Sequence, residues 1–184
     1  MRIEKLQSTY DITVEYINFP LHPDTPAEGI ELSRLFGSAD SARREASRRR
    51  LRELAEAEGL PMTERTMTYN SRLAQELGAW ATEQGKGPEF HRAVFHAYFA
   101  KARNISEPDV LVALASSIGL DAATARRVLE ERLYKEQINR EWSSSVAAGI
   151  NAVPTYEAGG RQVVGAQSYE VLARLVEAAG ATRR

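Results

Sequence analysis

The chain has 184 residues with a net charge of -1, 43% hydrophobic and 27% charged residues, and no cysteine. That length suits one domain, or a small domain carrying an insertion. The charge balance argues against nucleic acid and anionic membranes as partners, because both call for a basic surplus. Disulfides, thiolate metal sites and cysteine nucleophiles are excluded within these residues.

Residues 1–10 are charged and helix-compatible, with Ile3 and Leu6 three apart, and read as the last turns of a helix. Ile12, Val14 and Tyr16 alternate with Thr13 and Glu15, and Ile17 and Phe19 add apolar character on the other face. This predicts a strand covered on both sides for part of its length. Pro20, Pro23, Pro26 and Gly29 end it in an irregular loop. Arg2, Glu4 and Lys5 leave no apolar secretory segment, and no apolar run reaches the ~20 residues of a membrane span, which favours the cytoplasm.

Helices fill the middle. From about Asp40 to Glu58 the apolar positions are Ala46, Leu51, Leu54 and Ala55, with Gly59 and Pro61 as stops. Arg43, Arg44, Arg48, Arg49, Arg50 and Arg52 sit there, but Glu45, Glu53, Glu56 and Glu58 interleave, as on a solvated helix. Asn70 is an N-cap for a helix burying Leu73, Leu77, Trp80 and Ala81, stopped at Gly85. Pro88 opens the next, which stacks Phe95, Tyr98 and Phe99 as core. His91 and His96, five apart, do not share a helix face, so a metal site is set aside. Ser106 and Asp109 form a capping box before Val110, Leu111, Leu114 and Ile118. Asp121 caps a long stretch with Val128, Leu129, Leu133, Ile138, Trp142 and Val146 as buried positions, long enough to require a break.

Gly149 suits the position after a helix end. Val153-Pro154-Thr155-Tyr156 enters a strand, Gly159-Gly160 makes a tight turn, and Gln162-Val163-Val164 returns. Ser168 caps a final helix with Val171, Leu172, Leu175 and Val176, closed by Gly180. Local pattern leaves Pro154 open between an ordinary trans proline starting an edge strand and a cis one. Helices gathered between two parts of one sheet indicate an α/β core with a helical insertion.

Several segments resemble DsbA-type proteins: residues 16–29, Asn70-Ser-Arg-Leu-Ala74, Ala97-Tyr-Phe99 with Asn104-Ile105, Gly119-Leu-Asp121, Val153-Pro-Thr155 and Gly165-Ala-Gln167. The branch they are most similar to is the FrnE-like thiol-disulfide oxidoreductases and isomerases, related to 2-hydroxychromene-2-carboxylate isomerases and kappa-class glutathione transferases. The resemblance implies a thioredoxin-like core with an inserted all-α domain and a cis-proline hairpin. Residues 1–36 would begin the core, 37–148 supply the helical insertion and connecting helix, and 149–184 complete the core.

Members of that family carry a strand and a Cys-x-x-Cys motif before the helix that Arg2-Ile-Glu-Lys-Leu6 resembles. Without a thiolate the family's exchange route is closed, so the resemblance implies a redox-inactive chain with no catalytic residue of its own. It also implies that the strand at residues 12–19 and the hairpin pair directly, or that another chain fills the gap between them. One reading is an oxidoreductase whose start was lost or misassigned. Another is a peptide-binding or chaperone-like module reading extended substrate at Val153, Pro154 and Thr155 by strand addition, with the Phe95, Tyr98 and Phe99 cluster beside it. A third is a glutathione-dependent isomerase or transferase. The expected partners are an extended peptide, a small thiol, or a second copy covering the sheet edges; no cofactor, metal, nucleic acid or membrane is expected.

Overall fold

In the computed structural model, residues 2–36 and 41–184 are described, the side chains of 36–44 excepted. The elements run α1 (Arg2–Thr9), β1 (Ile30–Glu31), α2 (Leu32–Phe36), α3 (Ser41–Ala57), β2 (Met67–Thr68), α4 (Arg72–Glu83) and α5 (Gly87–Phe95). A π-helical turn (His96–Ala100) leads to α6 (Pro108–Ser117), α7 (Ala122–Glu130), α8 (Lys135–Ala147), β3 (Thr155–Ala158), β4 (Arg161–Val164) and α9 (Tyr169–Ala178). The chain divides into two compact units, Met1–Leu21 with Arg140–Arg184, and His22–Asn139.

The His22–Asn139 unit is built on helices whose apolar spacing is visible in sequence. Leu77, Trp80 and Ala81 of α4 pack with Phe90 of α5, Leu111 and Ala115 of α6, and Ala125, Val128 and Leu129 of α7. Asp121 caps α7, its carboxylate accepting from the Thr124 amide at 2.7 Å. Asn70 Oδ1 accepts from the Arg72 amide at 2.8 Å and so closes the start of α4, while its Nδ2 ties down the carbonyls of Pro23 and Thr25. Ion pairs from Arg49 to Glu53 and from Arg52 to Glu45 and Glu64 follow the interleaved charges of α3. Asp40 and the side chains of Arg43 and Arg44 lie outside the described residues.

In this unit the sequence reading is corrected at Asn70, since Ser71 and not Asn70 holds the N-cap position of α4, and at Ser106, Leu133 and Phe95. The capping box at Ser106 and Asp109 does not form: Pro108 opens α6 after Glu107, and the Ser106 hydroxyl bonds instead to the Ala27 carbonyl and to Asn104 Oδ1. The long stretch after Asp121 breaks, as its length required, between Glu130 and Lys135, where Arg132 takes φ +53°, but Leu133, expected buried, is 52% exposed. Phe95, expected in the core, is 47% exposed. β1 and β2 pair antiparallel, Ile30 with Thr68 and Glu31 with Met67, a pairing too short to show periodicity.

The other unit holds the hairpin β3–β4, paired Thr155 with Val164 through Ala158 with Arg161. Gly159 (φ +55°) and Gly160 (φ +72°) make its turn, the left-handed pair that a two-residue hairpin loop needs. Tyr156 and Val163 on one face pack onto Leu6 and Tyr10 of the N-terminal segment and Leu172 and Ala173 of α9. Ser168 caps α9 through the Val171 amide. Tyr10 is fully buried and donates to Glu177 at 2.5 Å, while Arg183 bonds both, tying the chain end to the end of α1. Val146, expected buried, is 61% exposed.

The strand expected at residues 12–19 is absent from the described residues' sheets, and so is its expected direct pairing with the hairpin. Alternating residues create a strand only where a neighbour supplies ladder bonds. Here side chains supply them instead: Glu141 accepts from the Asn18 amide at 3.0 Å, and Ser145 donates to the Asn18 carbonyl at 3.1 Å.

Candidate functional site

The residues singled out by sequence, Val153, Pro154 and Thr155, lie together where the chain enters β3. The Val153–Pro154 peptide bond is cis. The Pro154 carbonyl accepts from the Gly165 amide at 2.7 Å, and the Thr155 hydroxyl donates to the Ala152 carbonyl at the same distance. Between these two fixed points Val153 is 43% exposed, and among the described residues no hydrogen bond engages its amide or carbonyl. Beyond it, β3 pairs with β4 along one edge, and its other edge has no ladder partner among the described residues. Backbone groups in this state accept an added strand.

Around this entry the same unit gathers groups that sequence reading did not single out. Arg2, at the start of α1, donates to the Gln167 carbonyl at 2.8 Å, one loop away from the Gly165–Pro154 bond. The start of α1 is thereby held at the hairpin's open end. Burial pushes the Tyr156 hydroxyl above the usual phenol range; the Arg2 charge opposes this and the Tyr16 phenol adds to it. Tyr16 itself is 64% exposed. The only sequence signal for this grouping was Tyr16 at an alternating position, and alternation does not say what stands opposite. Phe95, Tyr98 and Phe99 belong to the His22–Asn139 unit.

Chemically, the site offers backbone hydrogen-bonding groups, one exposed branched side chain and two phenols. Among the described residues no three His, Asp or Glu side chains are grouped to hold a metal, and no helix is long and apolar enough to cross a membrane.

Comparison with known proteins gives three findings. A family model described as DSBA-like thioredoxin domain matches residues 1–177. The Bacillus subtilis (strain 168) protein YwbO is 34% identical over 105 residues, which is 56% of this chain and 52% of that protein. The chain thus matches about half the length of this curated relative. Among solved structures, a probable DsbA oxidoreductase of Streptomyces coelicolor superposes with a TM-score of 0.87 at 24% identity, covering 97% of this chain and 82% of the other. A 2-hydroxychromene-2-carboxylate isomerase superposes at 0.71 and 18% identity, covering 97% and 85%. At those identities the likeness establishes the fold alone.

Proposed function

The chain belongs to the DSBA-like thioredoxin domain family, and from that premise we propose that these 184 residues bind extended polypeptide at the Val153 edge without exchanging disulfides. The carrying observation is Val153: exposed, with an amide and carbonyl engaged by no described residue, at the head of a strand with an open edge. Disulfide exchange begins with thiolate attack on sulfur, and the sequence holds no cysteine to supply it. Recognition by strand addition needs no thiol. Main-chain bonds give the affinity and alternate side chains meet the neighbouring surface.

This reading keeps the division into a core of residues 1–36 and 149–184 and a helical insertion at 37–148, and it keeps a cytoplasmic location. The peptide lies along β3, its backbone bonding to Val153 and its side chains alternating toward and away from Tyr156. Fluorescence anisotropy with a labelled, unfolded, cysteine-free polypeptide tests the claim. Wild-type protein is expected to bind and Val153→Pro to lose most of that binding, because proline removes the amide donor. Insulin reduction by the pure chain should stay at background. Binding undiminished in Val153→Pro, or clear insulin turnover, overturns the proposal. A wild-type dimer in light scattering that dissociates in Val153→Pro assigns the edge to a second copy and also overturns it.

A further inference from the structure

Phe95, Tyr98 and Phe99 occupy the end of α5 and the π-helical turn, a rare geometry that recurs at functional positions. Their arrangement is built from the inside out. The Tyr98 hydroxyl bonds Thr68 Oγ1 at 2.9 Å, and its ring meets Tyr69 edge-on with centroids 6.5 Å apart. Tyr98 in turn meets Phe99 edge-on at 4.9 Å, and Phe99 stacks on Phe95 at 5.4 Å with the rings 25° apart. The series continues to the surface, where Phe95 is half exposed and meets the His91 ring at 4.5 Å, tilted by 41°. A large aromatic side chain left at the surface, on a base this fixed, offers apolar contact area without ordering cost.

The same place is cationic. The Phe99 carbonyl accepts from the Thr63 amide at 2.8 Å, which lays residues 63–67 along the turn. Arg65 then sets its guanidinium 4.0 Å from the Tyr98 ring centroid and 4.8 Å from that of Phe99, and donates to the Met67 carbonyl. Lys101 and Arg103 follow the turn directly and are exposed, and the Arg103 amide bonds back to the Ala97 carbonyl. Among the described residues no carboxylate pairs with Arg65, Lys101 or Arg103. From Phe90 to Ser106 the sequence contains no Asp or Glu, in a chain whose total charge is -1.

We propose that this aromatic and cationic surface docks an acidic peptide segment bearing aromatic side chains, its carboxylates meeting Arg65, Lys101 and Arg103 and its ring stacking on Phe95. Charge complementarity selects the occupant. Three cations without carboxylate partners on a weakly acidic protein favour a few carboxylates over a phosphate backbone, which calls for an extended basic surplus. This surface belongs to the His22–Asn139 unit and the Val153 edge to the other unit, and each reading stands or falls without the other.

The test is titration of the full chain with a fluorescent Glu-Phe-Glu-Phe-Glu peptide, with Lys-Phe-Lys-Phe-Lys and an oligothymidylate as controls. Binding of the acidic peptide is expected to weaken about 10-fold in Phe95→Ala and again in the double variant Lys101→Glu, Arg103→Glu, and to weaken with salt. All substitutions are at exposed positions, and circular dichroism confirms that the helices are retained. Val153→Pro should leave this binding unchanged. Absence of binding, equal binding of the lysine peptide, tighter binding of the oligothymidylate, or indifference to both variants overturns the proposal.

Discussion

Replacing Glu76 by glutamine tests how the helical unit is held together. Glu76 on α4 is completely buried and accepts from Arg72 Nε at 2.6 Å and from Arg132 Nε and a terminal Arg132 nitrogen at 2.7 Å each. Burial alone would raise its pKa, but the bonds from Arg132 and Arg72 outweigh that and hold the carboxyl below the usual range. A glutamine amide turns two donors toward guanidinium groups that can only donate. Removing one partner of a buried ion pair costs about 3–5 kcal/mol. Arg132 is 40% exposed and regains water, and Arg72 keeps its bonds to the Lys135 carbonyl and Asn139, so the lower end, about 3 kcal/mol, is expected. That corresponds to a Tm lower by roughly 6–12 °C for a chain of this size. Because the folded state binds this proton more weakly than the unfolded state, the stabilisation is complete above the unfolded value of about 4.3 and is lost as pH falls through the lower folded value. The gap between wild type and Glu76→Gln should therefore narrow in acid. Urea unfolding followed by circular dichroism, at neutral pH and at about pH 3, measures it. A gap below about 1 kcal/mol at neutral pH, or one equally wide in acid, would refute the reasoning.

Leu77→Ala removes a fully buried side chain from the centre of the helical core, and a loss of about 3 kcal/mol is expected as a lower urea midpoint with unchanged slope. Gly29→Ala meets two obstacles at once: φ is +87°, and the added methyl would stand 2.5 Å from Tyr69 Cδ1 and 2.7 Å from the Thr68 carbonyl. It should cost more than about 2 kcal/mol in thermal unfolding, because relieving the clash moves Tyr69 and disturbs the β1–β2 pairing. The Val153→Pro and Phe95→Ala binding experiments complete the set, and each should affect only its own surface.

Much of this protein is written in short-range signals. Gly159-Gly160, Ser168, Asp121 and the apolar spacing of α4, α7 and α9 act within a turn or two, so each is readable without knowing the rest of the fold. The segments that resemble DsbA-type proteins likewise pointed to the family through residues close in sequence. What needed the tertiary structure is every property that depends on a distant partner. Residues 12–19 alternate like a strand, yet a strand exists only beside another, and here Glu141 and Ser145 take the Asn18 backbone instead. Glu76 carries no local signal of burial; its partner Arg132 lies more than fifty positions away in the chain. Phe95 and Phe99 share a helical spacing, but only the packing decided that the inner ring is covered and the outer one left to solvent. Local sequence determines backbone preference and amphipathic faces; which face is buried, and which charge is matched, is decided by what the folded chain brings opposite.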